Sequence, residues 1–163
     1  MDFLPKSYEV PESPSNYMRF DQGDNKFRVL SSAIVGFEYF NKDNKPVRQK
    51  ESFSEIPSDI KQGGKVKHFW AFVVYNYQAK MVQILELTQK SIMEFIKKNV
   101  DNPKWGDPKG YDIIVTREGE GLETSYVTTL EPHSPVSDEI VNSFMGKEVK
   151  LEALYEGKDP FAV

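Results

Sequence analysis

The chain contains no cysteine among its 163 residues, which excludes disulfides, thiolate nucleophiles and every cysteine-ligated zinc or iron–sulfur site. Its only imidazoles are His68 and His133, too few for a histidine-rich centre, so neither a metal nor a cofactor is expected. No apolar run approaches the ~20 residues of a membrane span. The opening MDFLPKSYEVPESPSNY has neither the basic nor the apolar segment of a secretory leader, so a soluble, unsecreted chain without a membrane partner is expected. Also missing are G-x-S-x-G, the phosphate-cradling G-x-x-x-x-G-K-[ST], H-E-x-x-H, and a G-x-G-x-x-G between strand and helix. Acidic pairs such as Glu118 with Glu120 and Asp138 with Glu139 lack a histidine or metal motif beside them and read as solvated charges. No catalytic residue is expected, and the chain reads as a non-enzyme.

What the chain does hold is charge that is unevenly spread. The net charge is -4, yet residues 1–25 carry -3, residues 26–80 carry +5 and residues 81–163 carry -6. A basic middle between acidic ends fits ordinary surface charge, or a face that binds a polyanion. With 39% hydrophobic and 13% aromatic residues, a chain of this length builds one core.

Three parts follow from the local patterns. Residues 1–25 hold Pro5, Pro11 and Pro14 and no sustained period, an N-terminal arm that is mobile or extended. Residues 26–131 carry the strand patterns. Phe27, Val29, Ala33, Val35, Phe37 and Tyr39 alternate with Lys26, Arg28, Ser32 and Glu38, predicting one long strand over 26–40, bent or bulged at Gly36. Polar residues 41–66 read as a basic, flexible excursion. KHFWAFVVYNY (67–77) and MVQILEL (81–87) predict a hairpin. Helical spacing over 88–100, with Thr88 as cap and Lys97 and Lys98 at the C-terminal end, predicts one amphipathic helix. DNPKWGDPKG is a loop holding Trp105, and YDIIVTR and TSYVTTL joined by EGEGLE predict a second hairpin. Residues 132–163 form a C-terminal extension with room for a short helix from Ser137 to Met145 and a peripheral tail. The expected class is all-β with one helix: a five-stranded OB-fold Greek-key barrel whose helix lies between the third and fourth strands.

Five aromatic residues lie within nine positions, Phe69, Trp70, Phe72, Tyr75 and Tyr77. Either the strand is covered on both faces, or some of these rings form a stacking platform for unpaired bases. Basic side chains stand nearby: Lys65 and Lys67 lead into the strand, and Lys26 and Arg28 sit on the polar parity of the first. Such a mixture suits single-stranded nucleic acid, since cations neutralise phosphates and rings receive bases. Trp105 is a plug for the barrel mouth or a stacking residue, Arg117 a surface cation or a phosphate contact, and His68 a plain strand residue. No basic recognition helix favours duplex binding.

NYMRFDQGDNKFRVLSS (16–32), KHFWAFVVYNY (67–77) and NPKWGDPKGYDIIVTREGEGLETSY (102–126) together resemble the replication single-stranded DNA-binding proteins of tailed bacteriophages, the helix-destabilising type built on an OB fold. The resemblance implies sequence-independent binding that coats and protects single strands in phage replication, recombination or repair, in the cytoplasm of a bacterial host. It implies phosphate contacts at Lys26, Arg28, Lys65, Lys67 and Arg117 and stacking rings among Trp70, Phe72, Tyr75, Tyr77 and Trp105. Expected partners are single-stranded DNA and phage replication or recombination proteins, and the sequence leaves self-association open. The best-known members carry a cysteine-ligated zinc subdomain that this chain lacks, and residues 41–66 take its place in sequence. The rival reading makes the aromatic strand a protein-docking or dimer surface in an interaction or structural module.

Overall fold

A computed structural model gives the fold; it describes residues 3–9 and 15–161. The elements are β1 (Gly23–Val29), β2 (Ile34–Phe40), β3 (Pro46–Gln49), β4 (Lys67–Asn76), β5 (Met81–Leu87), α1 (Lys90–Val100), β6 (Asp112–Glu118), β7 (Ser125–Leu130) and α2 (Asp138–Met145). Among the described residues, seven strands form one antiparallel sheet ordered β3-β2-β4-β1-β6-β7, with β5 on β4. The protein is therefore all-β in class, with few helices. The sheet has seven strands where five were expected, and α1 lies between the fifth and sixth.

The extra strands have local causes. The predicted strand over 26–40 is broken into β1 and β2, which share one edge of β4 while β5 takes the other. Val29 faces Val74 and Ile34 faces Ala71, so five steps along one strand answer three along the other. Two residues are thus inserted. The Leu30 N–H donates to the Val73 carbonyl at 2.8 Å, and the Val73 N–H donates to Ser31 Oγ at 2.9 Å, so a serine side chain replaces the lost backbone partner. Gly36 is not the bend: its pairing register is regular. A Cβ there would lie 2.4 Å from the Gln49 carbonyl oxygen and 3.1 Å from the Phe69 ring, so the glycine admits close approach of β3. The 41–66 excursion likewise holds structure: the Asp43 and Lys45 N–H groups donate to Asn41 Oδ1 at 3.0 Å, turning the chain into β3.

Elsewhere the patterns and the structure agree. The β4–β5 and β6–β7 hairpins form as expected, and α2 starts where Ser137 Oγ accepts the Ile140 N–H. The first helix starts at Lys90, two residues later than read, with Gln89 as N-cap and no side-chain cap bond from Thr88.

Strand β4 is apolar on both parities because the sheet is covered on both faces. Phe72 and Val74 join Phe27, Val29, Leu85, Leu87, Ile113 and Val115 under Ile92 and Ile96 of α1. Phe69, Ala71, Val73 and Tyr75 face the other way, against Ile140 of α2 and Leu151 and Leu154 of a 3-10 turn. The tail expected to be peripheral is therefore part of the core, and burial of each leucine is worth about 1.5–3 kcal/mol. The last part of the N-terminal arm is docked as well. Residues 16–18 lie along β5, with Met18 N–H to the Ile84 carbonyl at 2.8 Å and Ile84 N–H to the Asn16 carbonyl at 2.9 Å, and Met18 and Phe20 are buried. Among the described residues no helix is long and apolar enough to cross a membrane.

Candidate nucleic-acid interface

The two-residue insertion and the loop after α1 leave the sheet's inner face open at the end of β4 where Trp70 lies. Trp70 is half-buried and divides two adjoining grooves. The first, of about 570 Å³, has an apolar floor of Val35, Trp70, Phe72, Ile96 and Val100, with Lys97 and Lys109 at its rim beside Asp107. The second, of about 600 Å³, runs between β4 and α1 and holds Lys67, His68, Lys90, Met93 and Lys97. Positions 68, 70 and 72 share one face of β4 because side chains alternate along a strand. Positions 90, 93 and 97 share one face of α1 because three and seven residues are near whole helical turns.

The rim cations are available to a ligand. Lys90 lies 3.7 Å from Glu94, Lys109 lies 3.6 Å from Asp107, and Lys97 pairs with Asp101. All of these side chains are at least 42% exposed, and pairs this wet hold their partners weakly. Beyond Lys67 a further recess of about 500 Å³ brings Lys61, Lys65 and Lys67 around the Gly63–Gly64 turn. Cations and one accessible ring thus line a trough made of the two grooves, which the recess meets only at Lys67, since Glu38 of the opposite sheet face lines the recess as well.

Of the ten site residues read from the sequence, Trp70 and Lys67 line this trough, Lys65 lines only the recess beside Glu38, and Phe72 lies beneath the trough. Phe72 is only 4% exposed; it is core, not a stacking ring. Tyr75 is 5% exposed on the opposite face, and burial pushes its hydroxyl pKa up. Arg28, assigned to the phosphate contacts, is 1% exposed. Its Nε donates to Asp112 Oδ1 at 2.7 Å, and its Nη atoms donate to the carbonyls of Lys109 and Ser134 and to Ser134 Oγ. That guanidinium has no face left for a phosphate.

Four more stand away from the trough. Tyr77 donates its hydroxyl to Asp112 Oδ1 at 2.7 Å, and burial with that bond pushes its pKa to about 12. Lys26 lies over the Tyr77 ring at 4.9 Å, its Nζ 3.7 Å from Asp112. Arg117 donates to the Phe20 carbonyl at 2.9 Å. Trp105 packs against the core, edge-on to Tyr111 at 5.4 Å and stacked on His133 at 5.6 Å, so it closes the end of the sheet. Sequence reasoning passed over Lys90, Lys97 and Lys109. The helical period around Met93 was the signal for the first two; for Lys109 only the fold supplies it.

A second polar cluster lies on the opposite sheet face. Arg48 Nε stands 3.1 Å from Glu38 Oε2, and its Nη2 stands 2.9 Å from Glu86 Oε2, all three side chains being at most 18% exposed. Burial and a hydrogen bond with Glu86 raise the Glu38 pKa to about 8. The cluster ties β2, β3 and β5 together. Among the described residues no group of three or more histidine, aspartate or glutamate side chains is placed to hold a metal ion.

No protein-family model matches the chain, and neither a curated protein nor a solved structure is significantly similar to it.

Proposed function

We propose that the protein binds single-stranded DNA, without sequence preference and without catalysis, along the trough at Trp70. One observation carries this reading: a half-buried tryptophan between two grooves that carry Lys67, Lys90, Lys97 and Lys109. Stacking on a ring accepts any base, and lysines on both sides follow the phosphates. The lysines stand on strand, helix and loop, with the ring on the floor between them. Such an open trough admits an unpaired strand more readily than a duplex.

The strand order supports an OB-type barrel. Counting β1 and β2 as one interrupted strand and β3 as an insertion, the chain runs strand, strand, strand, helix, strand, strand. That is the succession of a five-stranded OB fold, with the helix between the third and fourth strands. With the resemblance noted from the sequence, it supports a role in coating single strands in phage replication, recombination or repair inside a bacterial host. Replication or recombination proteins are then the expected protein partners.

The test is fluorescence anisotropy of a labelled oligonucleotide, single-stranded beside duplex of the same sequence, at two salt concentrations with tryptophan emission recorded. Salt-sensitive preference for the single strand, with quenching that disappears in Trp70→Phe, is the expected result. Equal affinity for both forms overturns the proposal and leaves the trough as a protein-docking surface.

A further inference from the structure

Beside the Arg48 cluster a cleft of about 860 Å³ lies where three distant parts of the chain meet. The N-terminal arm runs along β5 and brings Tyr17 to it. The turn held by Asn41 leads into β3 and brings Lys45 and Arg48. After the last 3-10 turn Gly157 takes φ 69°, and the chain folds back so that Lys158 and Asp159 stand at the mouth.

Two donors in this cleft are idle. The Arg48 side chain is 9% exposed, and its Nε and Nη2 serve Glu38 and Glu86. Its Nη1, with two further N–H donors, has no hydrogen-bond partner among the described residues. The half-buried Tyr17 hydroxyl has none there either, and burial pushes its pKa up, so it stays a neutral donor. Folds seldom leave such groups unused. Glu38 holds its proton at neutral pH, so Glu86 alone offsets the Arg48 charge. The mouth adds Arg19, Lys45 and Lys158 against Asp159. Lys158 stands 3.7 Å from Glu156, but both side chains are at least 65% exposed, a pair too wet to hold the lysine firmly. Asp159 Oδ1 accepts the Phe161 N–H at 2.9 Å. With Glu156 counted as well, the mouth is still positive.

We propose that this cleft is a second ligand site, which takes a phosphorylated nucleoside with its phosphate on Arg48 Nη1 and the Tyr17 hydroxyl. Guanidinium and ammonium groups together suit a phosphate, and the volume is that of a small-molecule site, about 300–1,000 Å³. Inorganic phosphate would leave most of that space empty. The Tyr17 ring offers a base a surface to stack on, Pro46 and Leu154 supply an apolar wall, and Asn16 offers an amide to a base edge. A ligand seated there touches the arm, β3 and the C-terminal segment at once, and so clamps both ends of the chain to the sheet. None of the residues that line the trough line this cleft, so the site stands whether or not the trough binds DNA.

Isothermal titration with adenosine monophosphate, adenosine and inorganic phosphate tests the proposal on the wild type, Lys45→Glu, Tyr17→Phe and Trp70→Ala, each shown by circular dichroism to be folded. The mononucleotide should bind the wild type and Trp70→Ala alike and raise the melting temperature of both. Its affinity should fall about tenfold in Lys45→Glu and several-fold in Tyr17→Phe, and adenosine and inorganic phosphate should each bind the wild type at least about tenfold more weakly. No heat from the mononucleotide at millimolar concentration overturns the proposal. So does adenosine binding as tightly as the mononucleotide, or binding that is lost in Trp70→Ala and kept in Lys45→Glu, which would put the nucleotide in the trough. In Trp70→Ala, competition by a terminally phosphorylated oligothymidylate but not by its unphosphorylated form assigns the site to strand ends, and competition by neither assigns it to free nucleotide. Tyr17→Phe should keep the wild-type anisotropy with single strands, so failure of this site and failure of the DNA reading are told apart.

Discussion

Arg28 and Asp112 face each other across β1 and β6 and form an ion pair of 2.7 Å, with the arginine side chain 1% exposed. The carboxylate also accepts the Tyr77 hydroxyl, while the guanidinium reaches the backbone carbonyls of Lys109 and Ser134. Through this pair four segments distant in sequence are joined, at residues 28, 77, 109–112 and 134.

Removing Asp112 leaves the arginine charge buried without an ionic partner, which costs about 3–5 kcal/mol, whereas removing Arg28 leaves the carboxylate with Lys26 at 3.7 Å and the Tyr77 hydroxyl and costs less. Arg28→Ala should lower the urea midpoint accordingly, and the protein that remains folded should keep the wild-type salt dependence of DNA binding. A folded Arg28→Ala protein of unchanged stability with a shallower salt slope would return the arginine to the phosphate contacts.

The two tryptophans should separate. Trp70→Ala is expected to weaken single-strand binding by about 1–3 kcal/mol, the worth of one stacked base, beyond the stability it loses because the ring also packs against the core. Trp105→Ala, which strips a ring from Tyr111 and His133, should lower the melting temperature. Paired anisotropy and thermal melts check both.

Charge substitutions should be graded by position. Lys67→Ala, Lys90→Ala, Lys97→Ala and Lys109→Ala should each reduce the slope of log affinity against log salt by up to about 0.7. Lys26→Ala should leave it unchanged, because that ammonium leans on Asp112 and the Tyr77 ring. Salt titrations of the five variants decide the matter.

Much of this was readable beforehand. The β6–β7 hairpin and the short helix ending at Met145 follow from local pattern, because turn glycines and a hydroxyl at a helix start act through near neighbours. The fate of Arg28 does not, since its partner is 84 residues away and alternation alone sends a polar side chain to solvent. Equally, the doubly apolar β4 left two readings open until the C-terminal segment was seen lying on it. The spacing of Leu151 and Leu154 by one turn was the available sign, diluted by the charges around it. Ser31 repairs the sheet only because Val73 comes opposite.

The Glu38 cluster gives stability a pH dependence. Its carboxyl titrates near 8 in the folded chain against 4.5 when free, so between these values the folded state holds a proton that the unfolded state has released. Stability should therefore fall as pH rises through that window and level off above it. Glu38→Gln should remove much of the fall. Urea midpoints across the window measure it, and an unaltered slope in the variant would point to another group.

Leu154→Ala should cost about 2–5 kcal/mol, as core truncations do, although the residue follows every strand of the sheet. Denaturant unfolding monitored by circular dichroism tests this. A change within experimental error would mean that the 3-10 turn lies loosely on the sheet.

Synthesis of the chain runs from the N-terminus, and the segment that covers Phe69, Val73 and Tyr75 is made after all seven strands. At about 5–20 residues per second, a nascent chain that has just completed β7 waits on the order of seconds before Ile140, Leu151 and Leu154 leave the ribosome. During that interval half of the apolar surface of β4 faces the cytosol of whatever cell makes it. Crowded translation of this message therefore sets neighbouring nascent chains against one another as alternative covers, and holdase chaperones acting on ribosomes should raise the yield more than those acting on finished protein.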